Sequence, residues 1–425
     1  MIAGHRWLRG LALLLAVASL ALGAQAGIEV DAERELRLIG EGVTPPKRFG
    51  EVAFRLAVFS YEDPDGLGLG DALAALASHE LLAEAKVSSI GVLRYSGRLT
   101  PTAGDERGYF DKVELLARPQ EPTLALWGMV RREGEGATVE TFLQLPRATR
   151  VPALQARLRL PQAMGGAELR ATAGSDRILL QRLQLDGRAL AGLREAAGRL
   201  GQLRSEPRAG APVTTTVPMG SVYYIVARRG DWVQMAVSRG GRGWVPVSGH
   251  CTGGCAALLA GPRFVSQMLA FMARREAPTG GDSLAPDARQ FLAELQAMAT
   301  LKLAAPMAGY DTAVKLLSGW QPGKDTSAAE GPALGATAAN LLLMARLANG
   351  LWQAQAGGGY QQAALPKETV RAAVYDAAEA LLIDPRNADL LHNLQVLYRW
   401  LGDDERAALA GRLLEQSAQA SRRRW

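Results

Sequence analysis

The residues best equipped for chemistry in this chain are few and poorly spaced for it. Its two cysteines, Cys251 and Cys255, are separated by Thr252-Gly253-Gly254 and preceded by His250. In an oxidising compartment such a pair most simply forms a disulfide, because the glycines let the backbone turn. Closing so short a loop removes little unfolded-chain entropy, so the bond would pin its neighbourhood locally. A zinc site built on His250, Cys251 and Cys255 would need a distant fourth ligand, and the usual ligand spacings are absent. Haem attachment requires Cys-x-x-Cys-His, and a redox pair normally has two intervening residues beside a helix start. Beyond the first 26 residues the histidines are His79, His250 and His392, with no plausible nucleophile beside His79 or His392 in sequence. Asp63, Asp65 and Asp71 read as a turn plus a helix cap, since the glycine sits wrongly for a calcium loop. No glycine loop able to cradle phosphate is present. The expectation is a protein without catalysis, metal or cofactor.

Binding chemistry is better represented. Tyr223, Tyr224, Trp232 and Trp244 fall within 22 residues, and aromatic faces stack on sugars or peptides. These four are the candidate ligand-binding residues, with at least two of them expected to serve packing, Trp244 foremost. The elements that must position them are short strands. Val213 to Val217, Val222 to Ala227, Trp232 to Val237 and Trp244 to Val247 are β-branched and aromatic runs divided by glycine-rich turns. In the third run Val233, Met235 and Val237 share one face, and Trp232, Gln234 and Ala236 the other.

Three ordered landmarks in this region resemble the bacterial SH3-like domain. They are Leu203-Arg204-Ser205-Glu206-Pro207, Asp231-Trp232-Val233-Gln234-Met235 and Gly240-Gly241-Arg242-Gly243-Trp244-Val245. Glu206 and Asp231 stand where that family usually has glycine. The resemblance implies a small β-barrel that binds peptidoglycan or another protein.

The start of the chain places it. Arg6 and Arg9 precede the apolar run Leu11 to Leu22, and Ala24-Gln25-Ala26 follows, the pattern of a cleaved signal peptide. The run is short for a bilayer span of roughly 20 residues. A periplasmic or secreted protein beginning at Gly27 is expected, with no membrane span in the mature chain. Loss of Arg6 and Arg9 takes the formal charge from +6 to +4. Basic residues are interspersed with acidic ones and form no stripe, which argues against a nucleic-acid partner. The Arg422-Arg423-Arg424 tail reads as a frayed, solvated terminus, with contact to anionic lipid or glycan as the alternative.

Upstream, Val52, Phe54, Leu56 and Val58 alternate as a strand, and Asp71 can cap a helix carrying Leu73, Leu76, Leu81 and Leu82. A strand at Ser89 to Arg94, a helix at Asp111 to Ala117 and a hairpin turning at Glu133-Gly134-Glu135-Gly136 follow. This order, with Leu56-Ala57-Val58-Phe59, Gly70-Asp71 and Gly128-Met129-Val130-Arg131-Arg132-Glu133-Gly134, resembles the TolB amino-terminal-like domain, which implies a docking role without a cofactor. Downstream the chain is helical, with Phe and Met stripes at Phe264 to Met272, Phe291 to Met298 and Leu341 to Leu351. Leu391, Leu394, Tyr398, Gly402 and Ala407 sit at the spacings of a tetratricopeptide repeat, with Pro385 closing the preceding unit and Gln395 replacing a small residue. That resemblance implies a helical stack offering a concave surface to another protein.

At 425 residues the chain needs several domains. The expected architecture is multidomain: signal peptide 1–26, an α/β (α+β) N-terminal domain 27–160, a helical connector 161–200, the small SH3-like β-barrel 201–255 and an all-α helical repeat domain 256–425. The expected function is a non-enzymatic envelope scaffold contacting peptidoglycan or envelope proteins. An activator of a cell-wall enzyme, or an accessory of a secretion or motility complex, is the alternative.

Overall fold

A computed structural model describes residues 31–84, 89–99, 106–146, 154–173, 177–200, 202–217, 222–237, 241–247, 254–274, 284–303, 313, 333–355 and 359–423. The signal peptide, His250 and Cys251 lie outside these residues. Cys255 lies in a short helix, and the pairing expected of the two cysteines therefore also falls outside what is described.

The first half is an α/β sheet. Helix α1 (Ala32–Gly40) precedes β1 (Phe54–Phe59), α2 (Gly70–Ala83), β2 (Ile90–Tyr95), α3 (Glu106–Ala117), β3 (Leu124–Glu133) and β4 (Gly136–Gln144). Strand β1 runs parallel to both β2 and β3, and β3 turns back through Gly134, at φ 58°, into antiparallel β4. Parallel strands need crossover helices that cover them, which is why β2 is buried along its whole length. Phe59, Tyr95, Trp127 and Phe142 pack under Phe110 and Val113 of α3 on one face. Leu56, Val58, Ile90 and Val92 pack under Ala74, Ala77 and Leu81 of α2 on the other.

Two sequence expectations are corrected here. Residues 161–200 are not a helical connector. They hold β6 (Glu168–Thr172), which forms a hairpin with β5 (Gln155–Arg159), and β7 (Arg177–Leu185), which pairs with β4 from Ala137–Leu185 to Gln144–Arg177. Helix α4 (Gly187–Leu200) begins only after these strands. Gln181, Arg182 and Gln184 interrupt the apolar run of β7, which hides its strand character. Asp71 does not cap α2. It lies inside the first turn, where its charge favours the helix dipole and its carboxylate accepts from the Ser60 hydroxyl.

The SH3-like strands are β8 (Gln202–Arg204), β9 (Val213–Thr216), β10 (Val222–Arg229), β11 (Trp232–Val237) and β12 (Arg242–Pro246). They continue the first sheet. Strand β10 pairs antiparallel with β2, so one ten-stranded sheet runs β7-β4-β3-β1-β2-β10-β11-β12-β8-β9. Helix α2 backs both parts. His79 donates from Nε2 to the Pro246 carbonyl at 2.7 Å, and Arg228 donates to the Ala83 carbonyl at the end of the helix.

The C-terminal region is helical: α5 (Gly254–Ala257), α6 (Ala260–Arg274), α7 (Pro286–Leu303), α8 (Ala333–Ala354), α9 (Lys367–Glu379), α10 (Ala388–Leu401) and α11 (Asp404–Arg423). Phe264, Met268, Phe291, Leu295, Leu341, Leu390 and Leu394 join the same apolar core as Val233, Met235 and Val245 of the sheet. The sheet and the helices are thus welded by one interior.

Candidate functional site

Register decides which side chains of the SH3-like strands face outward, because residues directly opposed on neighbouring strands share a face. Trp232 lies opposite Pro246 and Arg229, Gln234 opposite Trp244, Ala236 opposite Arg242, and Trp244 also opposite Arg204. The alternate residues Val233, Met235, Gly243 and Val245 are buried against the core. Trp232 and Trp244 are consequently half-buried on the outward face, diagonal to one another across β11 and β12. Two arginines are exposed beside them. The Arg229 guanidinium stands 5.9 Å from the Trp244 ring centroid, a cation–π distance, and Arg242 extends from the next strand. Arg204 is tied to the Ala211 carbonyl at 2.7 Å. Among the described residues, Arg229 and Arg242 form no ion pair with a carboxylate.

The sequence grouped four aromatics, and the structure separates them. Adjacent residues of a strand point to opposite sides, so Tyr223 and Tyr224 cannot serve one surface. Tyr223 is buried against α2 and β2, bonded to Ser78 and Arg94, and burial raises its hydroxyl pKa. Tyr224 accepts a hydrogen bond from the Gly50 amide at 3.2 Å, and its ring lies over Gly91, where a Cβ would meet it at 2.9 Å. Both tyrosines hold the seam between β10 and the first sheet. Trp232 and Trp244 remain on the open face.

The other residues that could do chemistry are engaged in the fold. His79 and His392 each bond a main-chain carbonyl, at 2.7 and 3.0 Å. Asp63 accepts from the amides of Leu67, Gly68 and Leu69 of its own loop, and Asp65 accepts from the Arg132 amide of β3, so the first carboxylate shapes the loop and the second ties it to the sheet. Among the described residues no cluster of three or more His, Cys, Asp or Glu side chains is disposed to hold a metal ion. Among the same residues no helix is long and apolar enough to cross a membrane.

In the helical region Leu391, Leu394 and Ala407 are buried, and Tyr398 is half-buried. Gly402 ends α10 at φ 82°, a left-handed position that only glycine takes without cost. Gln395 packs against Gly411, where a Cβ would lie 2.4 Å from its amide nitrogen, so a bulky residue on α10 is matched by an absent one on α11. Tyr375 and Tyr398 line a surface groove of about 610 Å³ together with Arg371, Asp403 and Arg406. Sequence reasoning missed Asn340 and Asn393, both buried. The available signal was a polar residue on an apolar helix stripe, Asn393 lying between Leu390 and Leu394.

No curated protein matches the chain. Among solved structures, a PelC dodecamer variant from Paraburkholderia phytofirmans is similar at 18% identity, over 24% of this chain and 64% of that one, with a TM-score of 0.14. The present chain therefore spans under two thirds of that protein. Residues 197–248 match the family described as the bacterial SH3 domain, which covers β8 to β12 and supports a cell-wall or protein binding module.

Proposed function

We propose that the chain is a non-enzymatic, exported envelope protein that holds peptidoglycan or a partner protein on the outward face of β10 to β12. The observation that carries this reading is the pairing of half-buried Trp232 and Trp244 with exposed Arg229 and Arg242 on the face away from the core. Indole surfaces cover apolar sugar or peptide faces, and guanidinium forks pair with carboxylates. The α/β part, similar to a TolB amino-terminal-like domain, and the tetratricopeptide-like helices serve in this reading as the scaffold that carries the face. The leader at 1–26 delivers the chain to the envelope, and Cys251 and Cys255 pair there.

Co-sedimentation with purified sacculi tests the wall-binding form. The mature protein is expected in the pellet, and a Trp232→Ala/Trp244→Ala double variant is expected to bind at least about tenfold more weakly, the order of loss for two interfacial aromatics. Equal pelleting of the two proteins would overturn the assignment of the face.

A further inference from the structure

Asn393 of α10 is fully buried, and its amide is spent on the edge of a strand. Its Oδ1 accepts from the Arg170 N–H at 2.9 Å, and its Nδ2 donates to the Arg170 carbonyl at 2.7 Å and to Asn340 Oδ1 at 2.7 Å. Asn340 of α8 donates to the same Arg170 carbonyl at 3.0 Å. One edge of a side-chain amide sets a donor beside an acceptor, so Asn393 makes the two bonds that a neighbouring strand would make and keeps its second N–H for Asn340. The flanking contacts keep the two-residue period of a strand. His392 donates to the Glu168 carbonyl at 3.0 Å, Thr172 donates its hydroxyl to Asp389 at 2.7 Å, and Asp389 also holds Arg170 Nε at 2.8 Å. Strand β6 pairs with β5 on its other edge. Its free edge, which would otherwise template another chain, is thereby covered by helices.

We infer that this face of α8 and α10 is a binding site for an extended polypeptide with a basic residue at its centre, and that β6 is the built-in occupant that closes it to partner strands. The bonds from Asn393 and Asn340 go to the Arg170 backbone and are indifferent to sequence. Asp389 supplies the selectivity, by taking a cation at the central position. An occupant tethered in the same chain acts at high effective concentration, so an outside strand enters only when β6 is weakened or withdrawn. This inference is independent of the ligand proposed for the SH3-like face.

The test alters the occupant and leaves the site intact. In the full-length protein, Arg170→Pro removes both the N–H that Asn393 accepts and the side chain that Asp389 holds. The N–H removed points away from β5, so the hairpin tolerates proline there. A fluorescent peptide spanning residues 166–173 with the natural sequence is titrated by anisotropy. The Arg170→Pro protein is expected to bind it at least about tenfold more tightly than the unaltered protein, which is the scale on which a tethered competitor acts. Adding Asn393→Ala is expected to abolish that gain. Equal affinity of the two proteins for the peptide, or a gain that survives Asn393→Ala, overturns the inference. Should helical circular dichroism show that Arg170→Pro perturbs the fold, Arg170→Glu sets a carboxylate against Asp389 without touching the backbone. The same titration then decides by the same outcomes.

Discussion

The outward face of β10 to β12 and the inner face of α8 and α10 are the two surfaces proposed above to bind, and they are made of opposite materials. The first presents Trp232, Trp244, Arg229 and Arg242 toward solvent, with no carboxylate paired to either arginine among the described residues. The second is a buried amide network whose bonds to β6 are complete. Exposed aromatic and guanidinium groups lose little by waiting for a ligand, because water and their neighbours solvate them. A buried amide cannot wait, since an unmet donor or acceptor in a dry interior costs about 1–3 kcal/mol. A binding surface of the second kind must therefore carry its own occupant.

That contrast can be broken by substitution. The largest effect is expected from Asn393→Ala, which strands the Arg170 N–H and disrupts a shared network. A loss of about 2–4 kcal/mol in urea unfolding is expected. A near-zero loss would make the amide a bystander and put both faces on the same footing. Next comes Gly243→Ala, on the strand that carries Trp244. Its Cβ would lie 2.5 Å from the Leu203 Cβ and 3.0 Å from the Arg204 carbonyl, so β8 and β12 must separate. The expected cost is about 1–3 kcal/mol, accompanied by weaker sacculus binding as Trp244 shifts. Unchanged stability would show that this part of the open face yields freely. The smallest effect concerns Glu80, where α2 meets α6. Burial raises its carboxyl pKa above the ordinary 4.5, and the hydrogen-bonded Arg263 opposes that rise without cancelling it. The group's contribution to stability is therefore complete below pH 4.5 and is lost as pH climbs through the raised folded value. Glu80→Gln should flatten the melting temperature against pH in that window. An unaltered profile would assign the dependence elsewhere.

The parts legible in the sequence were those written locally. Short β-branched runs and the Gly243-Trp244-Val245 signpost marked the SH3-like strands, and the stripes through Phe264, Phe291 and Leu341 marked helices, because side-chain period reports directly on a buried face. Three things were not local. The pairing of β10 with β2 joins residues well over a hundred positions apart, and nothing in either segment names its partner. Strand β7 was masked by Gln181, Arg182 and Gln184, whose polar side chains are accommodated in or beside a sheet that only the fold reveals. The role of Asn393 depends on Arg170, more than 200 residues away. For the candidate site, composition found the aromatics. The two-residue period, applied strictly, would also have separated Tyr223 from Tyr224.

The seam of Val222, Tyr223 and Tyr224 against Leu93, Val92 and Gly91 also fixes how the chain bears force. A ligand tugging at Trp232 or Trp244 pulls on strands that belong to the same sheet as β1 and β3. Tension directed along β10 loads the seam in shear, so its backbone bonds resist together, whereas tension across it peels them one at a time. The edge of the family match near residue 197 is thus a border in sequence and not in mechanics. Cutting there would expose the β2 edge rather than release a free-standing module.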